Sequence, residues 1–343
     1  MKPTPNRNLI TDVPGLRVGN AHDERLISGV TVLLGDAPFV AAVDPRGGGI
    51  GSRETDALRH EGTVDEIHGL VLSGGSAFGL DAATGAQAWL REQGIGFQVR
   101  EARVPIVPGA ILFDLLNGGD KDWGRSPPYA ELAYRAASNA SMDFEIGSVG
   151  AGFGATTAVL RGGLGSASQY LDDGTIIGAL VAVNPAGTVN IGDGPHFWAA
   201  PFEVNSEFEG LGWPTDMADS ERDIRLKGAA GESTVLAIIA TSARLDRRAT
   251  SRLAIMAHTG LARAIYPVHT PLDGDIVFAV ATGATSPPDP YTGLARLGAV
   301  AANVLSRAVA RAVYAAAKPP HGWTGPPAWI ERFGREKLSG VKS

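Results

Sequence analysis

The chain contains no cysteine. Disulfides, thiol catalysis and Cys-ligated zinc or iron–sulfur sites are therefore excluded. Positive charge is not in excess: 30 Lys and Arg stand against 36 Asp and Glu, a net charge of −6. A dominant electrostatic footprint for nucleic acid is not expected. No apolar run reaches the roughly 18 residues that a membrane span needs. The nearest, Leu294 to Ala317, is interrupted by Arg296, Arg307 and Arg311, which suits an amphipathic Ala-rich helix. The N-terminal stretch lacks an apolar h-region, so a soluble, cytoplasmic protein without a membrane partner is the expectation. There is no GxxxxGK[ST] loop, no HExxH and no GxSxG elbow, and the 7 His are scattered. No metal or cofactor is expected. Gly150, Gly152 and Ala155 match GxGxxA, but a packing turn explains them better than a dinucleotide site.

What is present is apolar material and glycine. Hydrophobic residues make up 44% of the 343 positions, enough for a large core. Glycine accounts for 45 residues, near twice the usual share of roughly 7%. Short apolar runs punctuated by Gly and Pro predict strands at 29–34, 39–43, 69–72, 96–99 and 104–107. Gly178 to Val183 and Thr234 to Ala240 are continuous apolar runs, which predicts strands covered on both faces. Ile276 to Val280 predicts another strand. Helical spacing predicts helices from Phe78 to about Gln93 and from Tyr129 to Ala140. Two more are expected from Asp246, as N-cap, to about Ile265, and from Leu294 to Ala317. Strands and helices mix without a βαβ rhythm, which favours α+β or a layered α/β sandwich. Asn205 to Glu232 is polar and Gly-rich and reads as a functional or mobile loop. The segment from Lys318 onward reads as a loose extension, with Trp323 and Trp329 able to dock it.

Three features bear on chemistry. Thr234 stands where the loop meets a buried strand. Asp273-Gly-Asp275 places two carboxylates on a turn before the next strand, read on its own as a surface turn. Asn184-Pro185 ends a buried strand, where turn initiation is the ordinary explanation.

Together these features lie within a longer pattern. It comprises Val43-Asp-Pro-Arg46-Gly-Gly-Gly49, Arg53-Glu-Thr-Asp56 and Leu72-Ser-Gly-Gly-Ser76-Ala-Phe-Gly79. It continues with Val149-Gly-Ala-Gly152, Gly162-Gly-Leu-Gly165-Ser-Ala-Ser168, Val183-Asn184, Met256-Ala-His258 and His269-Thr-Pro-Leu-Asp273-Gly-Asp275. From about Leu9 to Ala316 the chain resembles the L-aminopeptidase/D-esterase (DmpA-type) peptidases, a family that includes β-aminopeptidases and nylon-oligomer hydrolases.

The resemblance implies a four-layer αββα sandwich of the N-terminal-nucleophile-hydrolase kind, one domain over 1–343. It implies self-cleavage between Ser233 and Thr234 into a large fragment, 1–233, and a small one, 234–343. Thr234 would then be the nucleophile, with its freed α-amine, of reference pKa near roughly 8, as the base. Asp273 and Asp275 would orient that amine and hydroxyl. Asn184 would donate to the oxyanion, a contact typically worth about 3 kcal/mol of barrier. The loop through Gly228 and Gly231 would allow the geometry of the cut. Gly75, Ser76 and Phe113 would line the substrate pocket. Trp123 and Trp198 are further wall candidates, and Arg46 with Glu54 is a candidate ion pair. His258 and His269 match family positions but read as structural hydrogen-bonding groups. The expected substrates are small peptides or amino-acid amides and esters, and the expected assembly is a homotetramer.

The chain departs from the family pattern in places. Phe113 stands where several members carry Tyr. Val159 is the nearest match to a catalytic Lys of the nylon hydrolases. Ser233 precedes the cut where Asn or Gly is more usual. Alternatives are a 6-aminohexanoate-oligomer hydrolase, an acyltransferase of the ornithine-acetyltransferase type, and an inactive homologue.

Overall fold

A computed structural model describes residues 7–59, 61–228 and 232–334. Among the described residues eleven strands form: β1 (Leu16–Asp23), β2 (Ser28–Pro45), β3 (Ser52–Arg53), β4 (Ile67–Ser73), β5 (Phe97–Val99), β6 (Ala102–Val104), β7 (Gly109–Ile111), β8 (Gly163–Tyr170), β9 (Ile176–Asn184), β10 (Thr234–Ala243) and β11 (Ile276–Thr285). The helices are α1 (Ala82–Glu92), α2 (Tyr129–Ser138), α3 (Arg247–Ala262), α4 (Thr292–Tyr314) and α5 (Trp329–Phe333). No helix among the described residues is long and apolar enough to cross a membrane.

The two strands expected at 29–34 and 39–43 are one long strand. The first half of β2 pairs with β1 and β4, and its second half pairs antiparallel with β11. The register shifts between Leu34 and Phe39, where β2 passes from one sheet to the other. One sheet runs β3-β7-β4-β2-β1, and the other runs β2-β11-β10-β9-β8.

Three buried clusters define the layers. Val30, Val32 and Leu34 of β2 pack with Ala82, Ala86 and Leu90 of α1 and with Leu132, Ala133 and Ala136 of α2. Leu33, Leu70 and Leu72 face Leu180, Leu236, Ile238, Phe278 and Val280 between the two sheets. Val181, Val235, Ala237, Ile239 and Val277 pack against Leu253 and Ala257 of α3 and Val304, Leu305 and Ala308 of α4. The order is helices, sheet, sheet, helices: the αββα sandwich. Consecutive residues of β10 alternate between the last two clusters. The continuous apolar run thus follows from coverage on both faces.

Helix boundaries follow the sequence closely. Asp246 caps α3 by accepting from Ala249 N at 2.7 Å. Ser76–Asp81 is a 3₁₀ turn that delays α1 to Ala82. The run 104–107 ends as a strand at Val104, because Pro105 supplies no ladder N–H. Trp329 docks into the core of the α4 layer and donates to Pro195 O at 3.1 Å. Trp323 lies under the Arg161 guanidinium, 4.8 Å from its ring centre.

Candidate active site

Strand register brings the candidate residues together. β10 starts at Thr234, directly opposite Asn184 in the antiparallel β9–β10 pair. Directly opposed residues point to the same face of a sheet. Both therefore project toward the inter-sheet layer. On the other side of β10, Ser233 bridges Asp273 in parallel fashion, just ahead of the β10–β11 ladder. Asn184, Asp273 and Asp275 are fully buried, and Thr234 is 3% exposed. The two carboxylates are not on a surface turn.

The scissile peptide of the expected cut is held from both sides. Ser233 O accepts from Gly274 N at 2.8 Å and from Thr234 Oγ1 at 2.5 Å. Asn184 Nδ2 donates one peptide upstream, to Glu232 O at 3.2 Å, and also to Phe113 O at 3.1 Å. Thus the amide expected for the oxyanion faces the segment before the cut. Asn184 Oδ1 accepts from Thr156 N at 2.9 Å, which fixes the orientation of the carboxamide.

The acidic turn is clamped by backbone. Asp275 Oδ1 accepts from Val235 N at 2.8 Å, and Asp273 Oδ1 from Ala186 N at 2.9 Å. Arg46 N and Gly47 N donate to Asp275 O, and Gly49 N donates to Asp273 O. This close strap explains the glycines. A Cβ on Gly47 would lie 2.3 Å from Asp273 O, and one on Gly274 would lie 2.6 Å from Thr234 Oγ1.

Burial pushes the Asp275 carboxyl above its ordinary range, and the hydrogen bond from His269 offsets part of that. His269 Nδ1 lies 2.8 Å from Asp275 Oδ2. His269 Nε2 lies 3.3 Å from His258 Nδ1, and His258 Nε2 lies 2.7 Å from Asp44 O. A carbonyl only accepts, so His258 Nε2 carries a proton. Burial lowers the His258 pKa to about 4, so the ring is neutral near pH 7 and Nδ1 accepts from His269 Nε2. One proton then remains between His269 Nδ1 and Asp275. Sequence reasoning gave these histidines no chemical part. The signal was their placement in the two blocks between β10 and β11.

The pocket residues divide. Phe113 lines a cavity of about 180 Å³ together with Asp114, Asn117, Thr156, Lys227 and Glu232. Gly75 and Ser76 stand behind that lining and are not part of it. Gly75 N donates to Asp114 Oδ1 at 2.8 Å, and Ser76 N donates to Leu112 O at 2.9 Å, so both amides are engaged within the fold. Gly75 has φ +86°, and a Cβ there would meet the Tyr129 ring at 2.1 Å. Trp123 packs edge-on against Phe78 and Tyr129, and Trp198 packs against Tyr266. Arg46 pairs with Asp44 and not with Glu54, which accepts instead from Val107 N at 3.3 Å. Val159 packs against the α4-layer core. Gly150 and Gly152 are packing glycines, because a Cβ would strike Thr31 Oγ1 at 2.2 Å and Leu164 N at 2.0 Å respectively. Gly231 lies outside the described residues. No cluster of three or more metal-ligating side chains forms among the described residues.

Residues 8–323 match the profile of peptidase family S58. An uncharacterized aminopeptidase of Mycobacterium tuberculosis is 42% identical over 88% of this chain and 92% of its own. A 6-aminohexanoate-oligomer endohydrolase of Kocuria sp. is 29% identical over 91% of this chain and 88% of its own. Among solved structures, the L-aminopeptidase D-Ala-esterase/amidase of Ochrobactrum anthropi, described as a variant of the Ntn hydrolase fold, superposes with a TM-score of 0.70. It is 21% identical, over 97% of this chain and 94% of that one. A Burkholderia β-aminopeptidase gives a TM-score of 0.69 at 23% identity, over 100% and 97%.

Proposed function

The chain belongs to peptidase family S58, and from that premise we propose that it is a self-processed aminopeptidase with Thr234 as nucleophile. The cut falls between Ser233 and Thr234. The substrates are small peptides or amino-acid amides and esters, hydrolysed at the N-terminal amide or ester bond. The working form is a cytoplasmic homotetramer without a cofactor.

One observation carries this reading. Ser233 O accepts from both the Thr234 hydroxyl and the Gly274 amide. In the first step, Thr234 Oγ1 attacks the Ser233 carbonyl carbon, and Gly274 N–H stabilises the oxygen that gains charge. The C–N bond to Thr234 breaks, its nitrogen takes a proton, and the acyl group moves to Oγ1. Water then releases the Ser233 carboxylate. The Thr234 α-amine is now free to take the hydroxyl proton during turnover. Departure of Glu232 frees Asn184 Nδ2 for the substrate carbonyl. Before the cut, Glu232 and Ser233 occupy the approach to Thr234, which is consistent with an inert precursor.

Denaturing mass spectrometry tests the proposal. Purified protein is expected as two fragments, 1–233 and 234–343, and Thr234→Ala as one intact chain without activity on aminoacyl p-nitroanilides. An intact wild-type chain after long incubation, or hydrolysis by the variant, overturns it.

A further inference from the structure

Thr156 and Asn184 face a side chain that sequence reasoning did not single out. Lys227 is a half-buried lysine in the loop ahead of the expected cut, and it lines the same cavity as Phe113 and Glu232. Its Nζ lies 2.9 Å from Asn184 Oδ1, 3.1 Å from Thr156 O, 3.1 Å from Thr156 Oγ1 and 3.3 Å from Asn184 O. All four neighbours are oxygens able to accept. The pocket is therefore built for an ammonium, which has three protons to give. The backbone holds the side chain in place, because Lys227 N donates to Ala186 O at 2.8 Å. Arg225, two residues earlier, is bidentate to Asp193 at 2.6 and 2.8 Å. The anchor thus lies well upstream of Ser233, on chain that stays with the large fragment after the cut.

We propose that Lys227 is the positioning residue of the Asn184 carboxamide, supplied to the mature site by the C-terminal tail of the large fragment. Its ammonium holds Asn184 Oδ1, turns Nδ2 toward the acyl side and polarises the amide, which strengthens Nδ2–H as a donor. The tip of the tail, Glu232 and Ser233, leaves on maturation while Lys227 stays. The inference rests on Thr234 chemistry as proposed above and adds a regulator of the same oxyanion contact.

The charge on Lys227 is finely set. Burial pulls its pKa down to about 7, while Asp273, Glu232 and Asp114 each pull it back up. The groups facing it in the intact chain are these three carboxylates, Thr156 and Asn184, and Glu232 leaves with the cut. A lysine must be protonated to do this work, so its contribution is fullest well below pH 7 and fades as the pH rises, and the loss of Glu232 moves that fade to lower pH.

The test uses the full-length chain as wild type, Lys227→Met and Lys227→Gln, with the cut followed by denaturing mass spectrometry. On cleaved protein, kcat and KM are measured with alanyl p-nitroanilide from pH 5.5 to 9. Lys227→Met is expected to lose about tenfold or more in kcat with KM little changed, below the roughly 10²–10³ of deleting an oxyanion donor outright. Lys227→Gln retains a donor for Oδ1, so it should recover part of kcat but lack the alkaline limb. A Lys227→Met enzyme with wild-type kcat and an unchanged pH profile overturns the inference. So does a Lys227→Gln enzyme that keeps the alkaline limb. If wild type itself neither cuts nor hydrolyses, the Thr234 reading fails instead.

Discussion

Two buried carboxylates near the candidate site are built almost alike. Asp114 Oδ1 accepts from Gly75 N at 2.8 Å, and Asp275 Oδ1 accepts from Val235 N at 2.8 Å. Burial raises the pKa of each, and the second oxygen of each is engaged too: Ser28 Oγ lies 2.6 Å from Asp114 Oδ2, and His269 N and Nδ1 lie 3.1 and 2.8 Å from Asp275 Oδ2. Asp114 clamps the turn at Gly75, where β4 hands over to α1. Asp275 clamps the start of β10, one residue after Thr234. A perturbed buried carboxylate therefore does not mark a reactive site. What separates the two is the neighbour: a hydroxyl beside its own peptide carbonyl in one case, a glycine turn in the other.

The sharpest way to break the comparison is Asp275→Asn against Asp114→Asn. Asp275→Asn is expected to cost at least about 10²-fold in hydrolysis, of the order seen for a lost oxyanion contact, beside a destabilisation of about 1–3 kcal/mol through its own buried hydrogen bonds. Asp114→Asn should destabilise the fold by a similar amount, about 1–3 kcal/mol, through its two buried hydrogen bonds, with a smaller loss of hydrolysis. Melting temperature and kcat/KM on both variants decide it. Equal effects on both readouts would mean that the two carboxylates are not functionally distinct.

Next in size is Gly274→Ala. The added methyl would lie 2.4 Å from Gly49 O and 2.6 Å from Thr234 Oγ1. It should slow the cut by more than about tenfold, since misplacement near 1 Å at a reacting centre costs up to roughly 10²-fold. Wild-type cleavage kinetics in a time course would show that Gly274 only packs.

The smallest effect is on the pH dependence of stability. Both carboxyls have folded pKa values above their ordinary 3.8. Each proton is held more tightly in the folded chain. Their contribution is therefore fullest below about pH 3.8 and is lost as the pH rises through the raised values. Urea unfolding at several pH values should show either Asn variant with a shallower decline above pH 4 than wild type. An unchanged slope in both would rule the linkage out.

Much of this fold could be read in the sequence, because β9, β10 and β11 are buried on both faces and so carry unbroken apolar runs. β8 could not be read this way. Its sequence, Gly163-Leu-Gly-Ser-Ala-Ser-Gln-Tyr170, has little strand character, and the reason is packing. Cβ atoms on Gly163 and Gly165 would lie 2.3 Å and 1.9 Å from Ala312 O and Ala308 O. The close approach of α4 sets the residues there, and propensity cannot show that. The short β7 was hidden for a similar reason, since a Cβ on Gly109 would lie 3.0 Å from Val71 O. Thr234, Asn184, Asp273 and Asp275 were found through the family pattern and not through spacing, since 50 and 39 residues separate Thr234 from Asn184 and Asp273. Lys227 had no signal of its own. A lone lysine in a polar loop looks solvated until the loop folds back over β9.

The path of β2 and the placement of β10 and β11 bear on what the cut can and cannot do. The small fragment of the proposed cut would contribute β10 and β11 as a pair, inserted between β9 on one side and β2 on the other, both from the large fragment. α3 and α4 then close over that pair. Breaking one peptide bond at Ser233–Thr234 leaves these seams whole. After the proposed cut the two pieces would be chemically separate but mechanically inseparable, like interlocked staves. Parting them requires tearing two strand ladders and opening the core on both faces, which amounts to unfolding.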